Sequence, residues 1–285
     1  MAVNVPAAPA AQPQQDQRVR RHQWGSVLWS AARTPRGTVG LGLASFVVLV
    51  AVIGPFAAPN PPDALVTHVF GKPSGQFLLG GDVLGRDVLS RVLTGGRVLL
   101  IMAACATALG IIGGAAAGVS AAYLRGASDG IIMRAVDVIL SFPQIVFALL
   151  LLSLLGPKLW LITIAVGVSH APQVARVLRS ATLDLSERDF VKAAELQGMR
   201  PAKIMRKEIL PNLVSPLMVE AGLRLTYSIV IIAGLAFLGF GQPPPAANWG
   251  TMINENRDGL SLNPWAVIVP ALLIAVLTIG TNTFT

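Results

Sequence analysis

Charge is scarce in this sequence. Only 13% of its 285 residues are Asp, Glu, Lys or Arg, against roughly 25% in soluble proteins. Hydrophobic residues make up 53%, and the mean hydropathy is +0.65. A soluble enzyme of this length needs more charge on its surface, so a bundle of membrane helices fits better. Cysteine is nearly missing: the single Cys105 excludes an intrachain disulfide, and three scattered histidines leave little for a metal site. Acidic residues are also few, 14 against 22 basic ones. In an apolar chain the resulting +8 marks loops at an anionic membrane face rather than a nucleic-acid partner. Catalytic motifs are absent as well. The run from Gly80 to Asp87 is glycine-rich but lacks the Lys-Ser/Thr that would hold phosphate and magnesium. Neither a G-x-S-x-G elbow nor an H-E-x-x-H pair occurs. No catalytic residue, metal site or cofactor is expected on this chain, and it is not expected to hydrolyse ATP by itself.

What is present is a series of apolar runs. Residues 1–37 read as an N-terminal cytoplasmic segment, disordered over 1–17 and then basic, with Arg18, Arg20, Arg21, Arg33 and Arg36 around Trp24 and Trp29. Some thirty-seven residues therefore precede the first apolar run, too many for a cleaved signal peptide. Residues 38–285 predict an all-α membrane domain of six transmembrane helices, near 38–57, 98–123, 133–155, 159–178, 214–238 and 264–285. Each is close to the ~20 residues that cross ~30 Å of hydrocarbon. With the N-terminus inside, fifteen Lys and Arg fall on the cytoplasmic side, six on the outer side, and Arg224 within the fifth span. The positive-inside bias favours that orientation. Trp160 and Trp265 then fall at outer span ends, where an indole holds its ring in lipid and its N–H in water.

Several polar and small residues stand out inside the spans. Gly110, Gly114 and Gly118, with Ala103 and Thr107, form a ridge in the second span, suited to packing within the chain or to a dimer seam. Asp137 follows Arg134 by one turn, and Glu220 and Arg224 are i,i+4 partners; structural pairing and a transport role are both open. His170, before Pro172, reads as a packing histidine, and Cys105 as a small filler. Apolar residues between Val83 and Val92 recur at helical spacing beside Asp82, Arg86, Asp87 and Arg91. They predict an amphipathic helix at the outer interface, meeting a partner subunit, a binding protein, or the lipid surface alone.

The long loop over 179–213 is the most informative segment. Ser186 and Asp189 have the spacing of a capping box ahead of Phe190, Val191, Ala193, Ala194 and Leu196. Gly198 suits the end of that helix, and Pro201 the start of a second. Two short helices joined at a glycine make a docking element for another protein, or an interfacial hairpin held by Arg200, Lys203, Arg206 and Lys207.

Four stretches carry a resemblance. Val191-Lys192-Ala193-Ala194, Gly198 and Ile209-Leu210-Pro211-Asn212 resemble the E-A-A…G…L-P signature of permease subunits in bacterial ABC importers. The runs Leu79–Arg91, Arg134–Pro143, and Leu235–Gly241 continuing to Trp249-Gly250, resemble the C-type permease of the dipeptide/oligopeptide branch. Lys192 stands where the signature has its leading glutamate, with Glu195 nearby, and Ile232 where many relatives carry an acid. The chain stops at Thr285, where relatives continue into a polar tail, so a shortened end is expected. The resemblance implies a type I ABC importer permease fold in a bacterial inner membrane. It implies a second homologous permease, two cytoplasmic ATPase subunits that hold ATP and Mg, an extracytoplasmic binding protein, and membrane lipid as partners, with no nucleic acid. Lys192, Ala193, Ala194, Glu195, Gly198, Leu210 and Pro211 would couple the chain to the ATPases. Asp82, Arg86, Asp87 and Arg91 would meet a partner or the binding protein. The cargo implied is a peptide, with nickel chelates, haem or another small solute as alternatives. A secondary transporter would need midplane carboxylates or inverted repeats, and neither is evident.

Overall fold

The computed structural model describes residues 33–242 and 245–285; the expectations for 1–32 lie outside the described residues. Its elements are α1 (Pro35–Ala57), α2 (Val88–Leu124), α3 (Gly126–Leu140), α4 (Gln144–Leu155), α5 (Leu159–Ser186), α6 (Asp189–Leu196), α7 (Pro201–Ile204), α8 (Val214–Leu235), α9 (Trp249–Asn256) and α10 (Trp265–Phe284). Among the described residues the only β pairings are two isolated bridges, Leu65 with Arg86 and Gly81 with Asp87. Among the described residues five helical runs are long and apolar enough to cross a membrane, and α3 with α4, bent by 81°, meet the same test together and make six when counted as one span. The all-helical, six-crossing expectation matches this architecture.

The local chemistry explains the ends. Thr34 caps α1 by accepting from Gly37 N–H at 2.9 Å, with Pro35 at the first helical position. Asp87 caps α2, accepting from Leu89 N–H at 3.2 Å. The helix then runs 37 residues, starting ten before the apolar run seen in the sequence. The predicted interfacial helix over 83–92 does not form as a unit: residues 80–87 are turns and bridges, and Val88 onward belongs to α2.

The glycine ridge of α2 packs against α5 within the chain. A Cβ at Gly110 would lie 2.7 Å from the His170 Cβ, and one at Gly114 would lie 2.6 Å from the Ala171 carbonyl oxygen. Gly167 answers from α5, where a Cβ would lie 2.8 Å from that of Leu109. These glycines let two backbones approach as small-residue membrane interfaces do. Contacts climb both helices in the same sense, so α2 and α5 run parallel. Gly40 of α1 meets Gly280 of α10, and Gly222 of α8 meets Thr285, so α10 runs antiparallel to both. Hence Trp160 and Trp265, both exposed, share the end that carries residues 58–87, while residues 187–213 lie at the other. We call these the loop end and the hairpin end.

Trp249 on α9 locks the loop end to the core. It is fully buried, donates its indole N–H to the Val92 carbonyl at 2.8 Å, and packs against Gly95 and Gly96. A second apolar core sits at the hairpin end, where Val191, Ala194, Ile204, Ile209 and Leu213 pack on Ala115, Val119, Val174 and Leu178. Each fully buried Val, Leu or Ile facing water otherwise contributes ~1.5–3 kcal/mol. That core fixes the hairpin to the ends of α2 and α5.

Candidate functional site

The hairpin is built from its turn outward. Helix α6 ends at Gly198, whose φ of +74° only glycine adopts without strain. Gly198 N–H donates to Glu195 O at 2.9 Å, and Met199 N–H to Ala194 O at 3.2 Å, the two bonds of a Schellman turn. Met199 packs in the same apolar cluster as Ala194. Pro201 then opens α7, as its fixed φ allows. The expected glycine-joined pair of helices is present. Its expected capping box is not: Ser186 is the last residue of α5 and donates to Thr182 O at 2.8 Å, and α6 starts without a side-chain cap. The i−4 carbonyl is nearer to the serine than the next helix.

Burial sorts the residues of the coupling motif. Lys192, Ala193, Glu195, Gly198 and Pro211 are exposed, Leu210 is half-buried, and Ala194 is turned into the chain's own core. Of the two small residues, only Ala193 faces outward. Leu196, named in the sequence only as part of the helix and not among the coupling residues, is 90% exposed one turn beyond Ala193. Among the described residues it is the most exposed large apolar side chain. The hairpin is fastened to α2 and α5 by polar contacts as well. Tyr123 donates to Glu195 at 2.9 Å. Arg125 pairs with Glu187, and Lys192 lies 3.5 Å from the same carboxylate. The hydrogen bond from Arg125, then its charge and that of Lys192, hold the Glu187 carboxyl below the usual range.

At the loop end the structure brings together charges far apart in sequence. Asp82, Arg86, Asp87 and Arg91 are all buried. Arg86 Nε lies 2.6 Å from Asp82, and Arg86 and Arg91 share Glu255 at 2.8 and 3.1 Å. Asp87 caps α2 and accepts from Ser90 at 2.6 Å. Instead of lining an amphipathic helix at the outer interface, the four side chains hold the loop together, and Glu255, missed in the sequence, completes the cluster. A water-facing charge and one half of a buried pair look alike until the distant partner is known.

A third polar group threads the middle of the bundle. His170 is fully buried. Its Nδ1 lies 2.8 Å from Gln144 Nε2, and its Nε2 lies 3.0 Å from Ser228 Oγ. Ser228 is 3.2 Å from Thr107 Oγ1. His170 is thus a satisfied packing histidine. Glu220 and Arg224 form the expected i,i+4 pair at 3.2 Å, both are buried, and Arg224 also donates to Gln173. Asp137 pairs with Arg176 on α5 at 2.6 Å rather than with Arg134.

Six apolar crossings, with a fastened two-helix element at one end and a buried ionic brace at the other, have the layout of a multi-pass membrane protein. Residues 110–285 match the model of the family described as binding-protein-dependent transport system inner membrane component. The chain is 36% identical over 245 residues to a putative peptide transport system permease protein of Brucella suis biovar 1, covering 86% of this chain and 82% of that one. It is 31% identical over 280 residues to the dipeptide transport system permease protein DppC of Alkalihalophilus pseudofirmus, covering 96% and 90%. It is 33% identical over 262 residues to the di/tripeptide transport system permease protein DppC of Pseudomonas aeruginosa, covering 89% and 86%. The chain belongs to this family of inner membrane components, the permease subunits of ABC transport systems. It is a multi-pass protein of the inner membrane.

Proposed function

We propose that this chain is one of two permease subunits of an ATP-driven importer of short peptides. Both chain ends lie in the cytoplasm, as the charge distribution favours. The peptide assignment rests on what the relatives above are named for. A homologous permease completes the pathway, two cytoplasmic ATPase subunits bind ATP and magnesium, and an extracytoplasmic binding protein delivers cargo to the loop end. This chain supplies shape and a path without covalent chemistry.

One observation carries the coupling role: α6 presents Lys192, Ala193, Glu195 and Leu196 outward while its underside is clamped by Val191 and Ala194. A rigid element with a free apolar residue can transmit a push from a docked subunit to α2 and α5 together. The ATPase state must favour one permease conformation over the other, since docking without that difference shifts nothing. The test uses the assembled complex in a Cys105→Ser background. A photoreactive maleimide on Leu196→Cys should cross-link to an ATPase subunit, and cysteines at Gln197 and Ser74 should label from opposite sides of intact cells. Cross-links only to lipid, or same-side labelling, would defeat the assignment.

A further inference from the structure

The third crossing is broken by 81° between α3 and α4. Helix α4 is 12 residues long, about 18 Å at 1.5 Å per residue. That places the break near the middle of ~30 Å of hydrocarbon. His170 is the twelfth residue of α5 and sits at the same depth, as its contact with Gln144 requires. The break is open on one side: Ser141, Phe142 and Pro143 are exposed.

Three observations keep this side from facing lipid. No side chain caps α4, and Phe147 N–H is its first to find a partner, Pro143 O at 3.0 Å. The N–H groups of Gln144, Ile145 and Val146 have no acceptor among the described residues. Irregular backbone at this depth persists only where it is buried in protein or lines water. Next, Asp137 on α3 and Arg176 on α5, toward the hairpin end from the break, form an ion pair with side chains 58% and 54% exposed, so a polar surface leads from that end to the break. The third observation is the setting of Gln144 itself.

Gln144 is half-buried, and its bonds fix its orientation. Ser169 donates its hydroxyl to Val166 O at 2.7 Å, so toward Gln144 at 2.8 Å the serine can only accept. The amide nitrogen of Gln144 therefore donates to both Ser169 Oγ and His170 Nδ1. His170 consequently carries its proton on Nε2 and passes it toward Ser228 Oγ. Both amide hydrogens of Gln144 are committed, and its Oε1 has no partner among the described residues.

We infer that the break between α3 and α4 lines the aqueous translocation path, and that Gln144 Oε1 is a fixed acceptor for an N–H group of the passing peptide. Ser169 and His170 are positioning residues that hold the amide from behind. A peptide offers backbone N–H groups whatever its side chains, so one immobilised acceptor recognises the class without choosing a sequence. This assignment rests on the peptide reading above.

Two measurements on the full complex in proteoliposomes test it, in a Cys105→Ser background. A charged, membrane-impermeant methanethiosulfonate should modify Ser141→Cys at least about tenfold faster than Leu272→Cys, an exposed α10 position on the apolar surface. Gln144→Leu should raise the KM for trialanine uptake about tenfold, measured on complexes purified with all subunits present. If Ser141→Cys is as inert as Leu272→Cys, the break is sealed by lipid or the partner permease and the inference fails. An unmoved KM in Gln144→Leu removes the acceptor role. A wild-type complex that takes up no trialanine defeats the peptide reading instead, and the modification rates alone then decide whether the break is wet.

Discussion

Tyr123, in the last turn of α2, donates its hydroxyl hydrogen to Glu195 on α6 across 72 residues of chain. It is a direct polar link between the longest membrane helix and the exposed face of the hairpin. Tyr123→Phe removes the bond and keeps the ring. The hairpin core is untouched, so the complex should assemble with normal thermal stability. Uptake per ATP hydrolysed should fall severalfold, because α2 no longer follows α6 tightly. Parallel assays of transport and hydrolysis in the same vesicles check this; an unchanged ratio removes the link from the coupling path.

Gly198 separates two effects that a single substitution would merge. An added Cβ would meet nothing within 4 Å, so any cost there comes from the φ of +74° alone. Left-handed backbone costs an ordinary residue ~1–2 kcal/mol, and asparagine less. Gly198→Asn should therefore retain most transport. Gly198→Val should lose it, because the turn re-forms with α6 and α7 misdirected. Equal activity of the two variants would show that the turn geometry is unimportant.

The buried ionic brace makes a stability prediction. Asp82 and Glu255 together balance Arg86 and Arg91. Glu255→Leu leaves one buried positive charge without a counter-charge, which costs ~3–5 kcal/mol. The purified complex should unfold at a clearly lower temperature, and the loop end should become open to proteolysis between residues 58 and 87. Glu255→Gln keeps an acceptor and should lie in between. A melting temperature unmoved by Glu255→Leu would contradict the brace.

How far the sequence reaches is set by the range of the interactions. Span periodicity, the Gly110–Gly118 ridge, the Gly198 turn and the Glu220–Arg224 pair are local patterns within a helix or one turn of it, and each is legible from spacing. The brace is not, because Glu255 lies 164 residues beyond Arg91. Nothing near Arg91 distinguishes a guanidinium in water from one enclosed by a distant carboxylate. The same limit hid the direction of Ala194 and Ala193: two adjacent alanines look alike until the core beneath them is placed. The break at Ser141–Pro143 stands between these cases. Its proline was visible, but the apolar run continues through it, and composition alone reads one straight helix.

The central claim is that ATP-driven movement enters this chain through the outward face of α6. The most direct measurement is substrate-stimulated ATP hydrolysis and trialanine uptake by reconstituted complexes carrying Leu196→Glu. The charge replaces the most exposed apolar residue of the hairpin and touches none of the chain's own core. The predicted result is a complex whose two permeases remain paired and membrane-inserted but whose uptake and stimulated hydrolysis are both lost. Wild-type uptake and stimulation in Leu196→Glu would contradict the account.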